Sequence, residues 1–503
     1  MSWYQRIALL LSLCGVLLSA WVTEHTFEAV PHLEDEVAYA WQARLMADLR
    51  LSIPSPEFSE QFLVPFVVDY QGLRFGKYPP GWPAALALGI LLGLRAWVNP
   101  LLAGFGVWLT FRLGERVFSP LAGLLAAGLT LTSPFFLMNS GSLLSHPLGL
   151  VCTAGFALGW LEAFSLPEDS PRRGWVLLSA LSLGVLCLSR PFTALAAALP
   201  FGVHGVYLLW RGSRAVRLRL LGFSGLVLLM ASMVFAWQAQ VTGDPLMNPY
   251  TLWWPYDKLG FGLGHGVLDN GHTLRIAWQN AEQSLEVGWL DLFGWYRFSW
   301  LFLPFGVLAA WQSRRRIEAA LVGSVFISLV LCYLAYWVGA TLFGPRYYYE
   351  GLFSLTLFSA AGVSWLAGWP RRFTGWAKLR PLLVTGLLTG LVVFNLMAYL
   401  PLRLNMMHHL FGISRQDQAF FLQPEVQALA PALVVVQAER WMYYATLLEL
   451  SDPYLTSPFI FAWTTSPATA QRLGELYPAR RLLIYDPELP DRFQNWSLPS
   501  PPE

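Results

Sequence analysis

Charge is what this 503-residue sequence has least of, since Asp, Glu, Lys and Arg together make up only 13% of it. A typical soluble domain carries about 25%. Hydrophobic residues reach 55%, which excludes an ordinary soluble domain and indicates that lipid surrounds much of the chain. The formal net charge is only +2, so the sequence lacks the basic balance of a nucleic-acid-binding protein.

Cysteine is also scarce, with four residues that all fall inside apolar runs: Cys14, Cys152, Cys187 and Cys332. They form neither pairs nor clusters, which argues against a disulfide framework or a cysteine metal site. Aromatic residues are abundant instead, at 15% with 24 Trp. Such side chains are enriched where a membrane meets water.

Long apolar runs follow one another along most of the sequence. A helix that crosses the hydrocarbon core needs about 20 apolar residues, and runs near that length lie at 7–22, 120–138, 147–164, 175–189, 192–210, 220–240, 299–312, 318–340, 351–368 and 382–400. No small-x-small cleavage pattern follows the first run, so we expect a retained helix and not a signal peptide. Residues 82–111, interrupted by Arg95, Asn99 and Pro100, allow either one or two crossings.

Basic residues fix the expected orientation because they favour cytoplasmic connections. They cluster in five connections: Arg112 and Arg116; Arg172 and Arg173; Arg211, Arg214, Arg217 and Arg219; Arg314, Arg315 and Arg316; and Arg371, Arg372, Lys378 and Arg380. All five share a side with Arg6 if 82–111 makes one net crossing and part of 82–98 is re-entrant or interfacial. The sequence thus predicts an all-α polytopic protein of the plasma (inner) membrane. It has about 11 transmembrane helices, a cytoplasmic N-terminus and an extracytoplasmic C-terminus, and a bacterial host is the default expectation.

Three polar stretches then share the outer face: a first outer loop at 24–81, a long outer loop at 241–298 and a tail at 401–503. In the tail, β-like runs at 432–437 and 482–485 flank a helical stretch at 467–477. We therefore predict a membrane domain at 1–400 and a small outer α/β domain at 401–503.

The first outer loop opens with adjacent carboxylates, Asp35 and Glu36. Apolar residues recur every fourth position from Val37 to Leu49, which predicts a helix lying in the interface plane. Taken alone, Asp35 would cap this helix and Glu36 would complement its dipole.

The same loop ends in a stiff turn, 74–83, that contains Lys77 and the run Tyr78-Pro79-Pro80. An Asp-Glu pair, an interfacial helix and a Tyr-Pro-Pro turn entering the membrane resemble the GT-C glycosyltransferases. The similarity is greatest to their protein mannosyltransferase and aminoarabinose transferase branch (glycosyltransferase family 39-like). It spans roughly residues 5–400, more as an order of elements than as dense identity.

This resemblance implies transfer of a hexosyl or pentosyl group from a polyprenyl-phosphate donor to an acceptor on the outer face. It implies that Asp35 is the catalytic base, with Glu36 as its helper or replacement. Lys77 and Tyr78 would lie near the donor. The chemistry agrees, because an inverting displacement needs one carboxylate to deprotonate the acceptor, and its phosphate leaving group needs cations.

Arg346-Tyr347, at the outer end of the ninth span, resembles the family's Arg-Tyr motif, where a cation meets the donor phosphate. Contact of Arg346 with lipid headgroups is the alternative. Arg190 is a weaker phosphate candidate at another outer helix end. The family often has an Asp near His146, and this chain does not, so His146 either lines the cavity or exposes its ring at a helix end.

The long outer loop carries a candidate substrate segment, Trp254, Tyr256, Asp257 and Lys258, followed by glycines at alternate positions from 260 to 266. Such glycines predict unusual backbone angles. His265 and His272 lack a diagnostic ligand spacing. We expect no required metal or other cofactor, although a divalent ion remains open.

Two other functions are left open by the sequence: a ligase or polymerase of lipid-linked polysaccharide, and, less favoured, a lipid or solute transporter. A transporter would place ionisable residues deep in several spans and show internal repeats, and neither feature is evident. The expected partners are the donor, membrane lipids and an unidentified acceptor that is a lipid, a glycan or a protein. Nucleic acid is not among them. The sequence does not identify the sugar, the acceptor or the oligomeric state.

Overall fold

Most of the described residues are helical. The structure is a computed structural model that describes residues 1–164, 172–369, 374 and 378–494. The helices are α1 Trp3–His25, α2 Glu34–Ala47, α3 Gly81–Leu91, α4 Val98–Val117, α5 Pro120–Leu131, α6 Pro134–Gly141, α7 His146–Phe164, α8 Arg173–Ser189, α9 Pro191–Arg211, α10 Arg214–Thr242, α11 Tyr250–Trp253, α12 Leu274–Asp291, α13 Leu303–Gln312, α14 Arg316–Tyr333, α15 Leu352–Ala367, α16 Leu379–Phe394, α17 Leu400–Met407, α18 Pro424–Gln427 and α19 Pro467–Leu476. The strands are β1 Ile53–Pro54, β2 Val67–Tyr70, β3 Leu73–Gly76, β4 Ala432–Val436, β5 Phe459–Trp463, β6 Arg481–Tyr485 and β7 Phe493–Gln494.

Local sequence explains where several of these helices begin. Ser119 and Ser133 each precede a proline, and each serine hydroxyl accepts a hydrogen bond from the amide three residues later. A serine N-cap followed by proline at the first helical position is a favoured start. At Ser133 the chain bends, so that the axes of α5 and α6 differ in direction by 60°.

Seven helices of the described residues are long and apolar enough to cross a membrane, or up to nine if each of two bent pairs forms one span. The predicted all-α polytopic architecture is therefore confirmed, while the count of about 11 stays a prediction. The interrupted region 82–111 contains α3, which at 11 residues is too short to cross, and α4, which at 20 residues has the length of one crossing.

Small residues allow the helices to approach closely. At the contact of α4 with α5, a Cβ added to Gly114 would lie 2.5 Å from the Cα of Gly123. Close backbone approach of this kind is typical of membrane helix packing. Among the candidate spans, α7 is the most enclosed, since 83% of the residues in its apolar stretch are buried.

Basic clusters from separate connections lie together at one end of the helices. Arg116 pairs with Glu162 at 2.9 Å and with Glu318 at 3.8 Å, and Arg315 donates to the carbonyl of Arg116. Arg219 reaches the carbonyl of Ala163 at 3.0 Å. These contacts place parts of three predicted cytoplasmic clusters on one face. Arg371 and Arg372, of the fifth, lie outside the described residues.

The tail forms a four-stranded sheet with strand order β5-β4-β6-β7. Strand β4 pairs in parallel with β5 and β6, and β7 is antiparallel to β6. The predicted runs at 432–437 and 482–485 become β4 and β6, the helical stretch becomes α19, and β5 was not predicted. The expected domain boundary at 400/401 falls inside α17, and residues 495–503 lie outside the described residues.

Helix α2 does not lie on lipid as its apolar stripe predicted. Val37, Trp41 and Leu45 are buried and pack in one cluster with the tail residues Trp441 and Leu448. That expectation is wrong because periodicity shows which face must be covered but not what covers it. Leu49, at the end of the stripe, is 94% exposed.

Candidate functional site

Asp35 lies in the first turn of α2, with its carboxylate partly exposed. Its Oδ1 accepts a hydrogen bond of 2.5 Å from the Tyr78 hydroxyl, and its Oδ2 lies 3.5 Å from Nη2 of Arg346. Burial and the nearby carboxylate raise the pKa of Tyr78, so its hydroxyl stays protonated and donates. The predicted base thus lies between a phenol and a guanidinium.

Glu36 faces another way although it is the next residue. It is 1% exposed, and its carboxylate accepts hydrogen bonds from the amides of His32, Leu33 and Leu143 at 2.8, 3.0 and 2.6 Å. Burial raises its pKa to about 7. These contacts make it a cap that joins α2 to the segment between α6 and α7.

Lys77 is enclosed by aromatic rings and is 2% exposed. Its Nζ lies 3.5 Å from the Phe66 ring centre, 4.8 Å from that of Trp254 and 5.0 Å from that of Tyr250. A carboxylate oxygen of Asp257 lies 3.6 Å away. Burial lowers the pKa of Lys77, and the carboxylate of Asp257 acts in the opposite direction. Cation–π contacts and one carboxylate therefore hold this cation between the first and the long loop.

Arg346 opens a short 3₁₀ helix, Arg346–Gly351, just before α15. Its Nη1 is buried and has no hydrogen-bond partner among the described residues, while Nη2 faces Asp35. The adjacent Tyr347 stacks on Tyr333 with ring centres 5.0 Å apart. Because a guanidinium has five donors in a fixed fork, Arg346 keeps donor capacity at the edge of the Asp35 site. Its guanidinium points to Asp35.

His146 and Arg190 meet at a carboxylate that the sequence analysis did not single out, Glu350. The Oε1 atom of Glu350 lies 3.0 Å from Nε of Arg190 and 3.2 Å from Nδ1 of His146. Glu350 is fully buried and His146 is 2% exposed, so the exposed-ring alternative for His146 is wrong. The signal that could have revealed Glu350 is a carboxylate closing the Arg-Tyr-Tyr-Tyr-Glu run at an outer helix end.

Ser145 joins the residues around Glu350 to the residues around Asp35. Its hydroxyl accepts from Nη1 of Arg190 at 3.0 Å and lies 3.4 Å from the hydroxyl of Tyr39. The Tyr39 ring packs against the Tyr78 ring, with centres 4.5 Å apart. Arg190 therefore supports the Asp35 site from behind a layer of tyrosines and serine.

The long loop contributes its aromatic residues and Asp257 to this region, but not Lys258, which is exposed. Trp254 and Tyr256 stack with ring centres 6.0 Å apart. Asp257 also accepts from the hydroxyl of Tyr336 at 3.2 Å and from the indole of Trp337 at 3.1 Å. All four alternate glycines from 260 to 266 have positive φ, as the sequence predicted.

Among the described residues, one group of three metal-competent side chains occurs: Glu28, His408 and His409. It does not include Asp35, Glu350 or His146. Nε2 of His272 donates to the carbonyl of Leu334 at 2.9 Å, and the ring stacks on Phe261.

Sequence comparison found no match to a protein-family model and none to a curated protein. Comparison of the structure with solved structures did find similarity. ArnT from Cupriavidus metallidurans bound to undecaprenyl phosphate matches 96% of this chain and 89% of its own, with a TM-score of 0.57 at 15% identity.

The archaeal oligosaccharyltransferase AglB from Archaeoglobus fulgidus, in complex with an inhibitory peptide and a dolichol-phosphate, is also similar. It matches 90% of this chain and 65% of its own, with a TM-score of 0.53 at 12% identity. The chain therefore has the fold of the GT-C membrane proteins, and the fold implied by the sequence resemblance is confirmed.

Proposed function

We propose that this chain is a membrane glycosyltransferase that moves a sugar from a polyprenyl-phosphate donor to an acceptor on the outer face. The observation that carries the proposal is the pairing of Asp35, which is partly exposed, with Arg346, which has a buried nitrogen without a partner in the part of the chain that the structure describes. A base and a phosphate-binding cation 3.5 Å apart are the two groups that an inverting displacement needs. The similarity of fold to proteins bound to undecaprenyl phosphate and dolichol-phosphate supports a lipid monophosphate as the carrier.

In the proposed reaction, Asp35 accepts the proton of the acceptor hydroxyl or amine. The freed electron pair attacks the anomeric carbon, and the bond from that carbon to the phosphate oxygen breaks. The polyprenyl phosphate leaves with the bonding electrons as added negative charge. Arg346 stabilises this charge through hydrogen bonds that strengthen as it develops.

Donor binding also changes the contacts of Asp35. Before the donor arrives, the carboxylate of Asp35 lies 3.5 Å from Nη2 of Arg346. When Arg346 turns its donors to the phosphate, this contact is given up and the carboxylate is free to meet the acceptor. The arrangement therefore favours binding of the donor before the acceptor.

Lys77 belongs to this proposal in a supporting position. Asp257 and the aromatic rings already occupy its ammonium group, so it orders the loops beside the donor and adds positive potential. Glu350 holds Arg190 and His146 in the layer behind. Lys77 and Glu350 are positioning residues, because other side chains separate them from Asp35.

The function is tested with the purified wild-type chain in lipid nanodiscs, offered synthetic polyprenyl-phosphate hexoses and pentoses with an extract of envelope lipids and glycans. We expect release of the sugar from one carrier and its recovery on an acceptor with inverted anomeric configuration, and no release with empty nanodiscs. Consumption of a diphosphate-linked oligosaccharide instead would favour a ligase or polymerase. Movement of intact lipid across the bilayer without sugar release would favour a transporter.

A further inference from the structure

A cluster of side chains away from Asp35 has the composition of a metal site. Glu28 follows α1, and His408 and His409 follow α17, so the cluster joins the start of the first loop to the start of the tail. One ligand atom from each of the three lies within 4.8 Å of the others. Two imidazoles and one carboxylate form a donor set that zinc prefers in sites with an open fourth position.

The cluster is already close to coordination geometry. Nε2 of His409 lies 2.9 Å from Oε1 of Glu28, whereas ligand atoms around tetrahedral zinc lie about 3.4 Å apart, given bonds of about 2.0–2.2 Å. A separation of about half an ångström would admit the ion between them. The rings of His408 and His409 are adjacent, with centres 3.8 Å apart.

Neighbouring groups orient the ligands as they do in metal sites. Nδ1 of His408 lies 3.3 Å from the carbonyl of Thr26, which fixes the proton on Nδ1 and leaves Nε2 as the ligand. The other oxygen of Glu28 accepts from the Ser414 hydroxyl at 3.1 Å and from the amide of Arg415. The guanidinium of Arg415 pairs with Glu24 at 2.9 Å and also donates to the backbone carbonyl of Glu28, so its donors are held on acceptors other than Oε1.

The backbone holds this arrangement at some cost. Glu28, Ala29 and His409 have positive φ values of 50°, 53° and 53°, a conformation that non-glycine residues adopt only at a cost in free energy. Such backbone is typical of ligand clamps. The side chain of His409 is 41% exposed, which leaves a route for the ion and for a water in the fourth position.

We propose that Glu28, His408 and His409 bind one divalent transition-metal ion, with zinc as the best match. Nε2 of His409 would bind the ion without a proton, since metal ligands must be deprotonated. The ion ties the segment that leads to α2 to the segment that leads into the tail. This site is independent of the proposed transferase function and takes no part in its chemistry.

The test is zinc binding by the metal-free full chain, purified without a histidine tag and titrated calorimetrically, with bound metal counted by mass spectrometry. We expect one zinc per chain. Glu28→Gln and His409→Ala should each weaken binding by roughly 100-fold or more, since even the loss of an outer contact costs 10–100-fold. His265→Ala, which removes a histidine of the long loop, is the matched control and should retain the ion.

A second measurement uses the wild-type chain alone, so it does not depend on the variants folding. Bound zinc should protect His408 and His409, but not His265, from acylation by diethyl pyrocarbonate, and bound cobalt should give the strong visible absorption of tetrahedral coordination. The proposal would be overturned if the wild-type chain bound no zinc at micromolar concentrations of the ion, or if the wild type and both ligand variants bound zinc equally.

Discussion

Asp35 and Glu36 are neighbours in the sequence, yet their carboxylates have opposite environments. Asp35 faces Tyr78 and Arg346 with part of its surface open, whereas three backbone amides enclose Glu36. Consecutive positions of a helix point about 100° apart. Asp35 thus reaches the open side of the candidate site, while Glu36 reaches the protein interior.

This difference predicts separate consequences for substitution. Glu36→Ala should lower the free energy of unfolding by at least about 2 kcal/mol, because each buried amide left without an acceptor costs about 1–3 kcal/mol. Glu36→Gln keeps one acceptor oxygen and should fall between the alanine variant and the wild type. Thermal unfolding measures both, and transfer is assayed at a temperature where all variants are folded. Unchanged stability with lost transfer would show that Glu36 takes part in the chemistry.

At the residue level, the sequence singled out Asp35 and Arg346, which the structure places 3.5 Å apart, but not the other partners of each group. Lys77 could be recognised as a cation beside the turn, but its enclosure depends on Phe66 and Trp254, which come from other segments. Glu350 was missed for the same reason. Its position is defined by a guanidinium and an imidazole, those of Arg190 and His146, which are 160 and 204 positions away, a span that local pattern cannot connect.

At the element scale, α2 packs between the tail on one side and the residues around Tyr78 on the other. Its apolar stripe packs on the tail, and Arg44 anchors the same contact through Glu449 at 3.0 Å. Asp35 and Gln42 face the other way, and Gln42 donates to the carbonyl of Tyr78 at 2.8 Å. The sequence predicted the helix and its stripe correctly, but the partner of the stripe begins about 400 residues later.

The loops are joined by a single buried ion pair, Lys77 with Asp257, so their coupling is measurable. Asp257→Asn leaves the ammonium buried without a counter-charge, which should destabilise the protein by about 3–5 kcal/mol. The double variant Lys77→Met/Asp257→Asn removes both charges and should recover part of that loss. Thermal unfolding of the wild type, both single variants and the double variant completes the cycle. Strictly additive losses would show that the pair does not hold the loops.

At the scale of the whole molecule, basic residues and the tail lie at opposite ends of the helices. The cluster around Arg116 gathers one set of connections, while the tail packs on α2 beside Asp35. Composition and charge were enough to predict a polytopic helical protein, because they follow from the bilayer itself. Of these tail strands, β4 and β6 were predicted and β5 was not, since a short buried apolar run does not distinguish a strand from a helix by its periodicity alone.

This arrangement predicts the orientation of the chain. A cysteine introduced at Glu488, exposed in the tail, should react with a membrane-impermeant maleimide from the outer face of intact cells or spheroplasts. One introduced at Arg314 should react only after permeabilisation. The native chain is the background control, since its four cysteines lie within α1, α7, α8 and α14. The reverse labelling pattern would place the candidate site on the cytoplasmic face.

The central claim is that Asp35 acts on the acceptor and Arg346 on the donor phosphate, and paired measurements of binding and transfer separate these roles. Asp35→Asn should lower transfer by at least about 100-fold while undecaprenyl phosphate binds as well as before or more tightly, because Arg346 loses a competing carboxylate. Arg346→Gln should weaken that binding about tenfold or more, as expected for a charged hydrogen bond worth about 1.5–3 kcal/mol. Asp48→Asn and Arg50→Gln, at the far end of α2, are the matched controls. If Asp35→Asn left transfer unchanged, or weakened lipid-phosphate binding as much as transfer, the account would be contradicted.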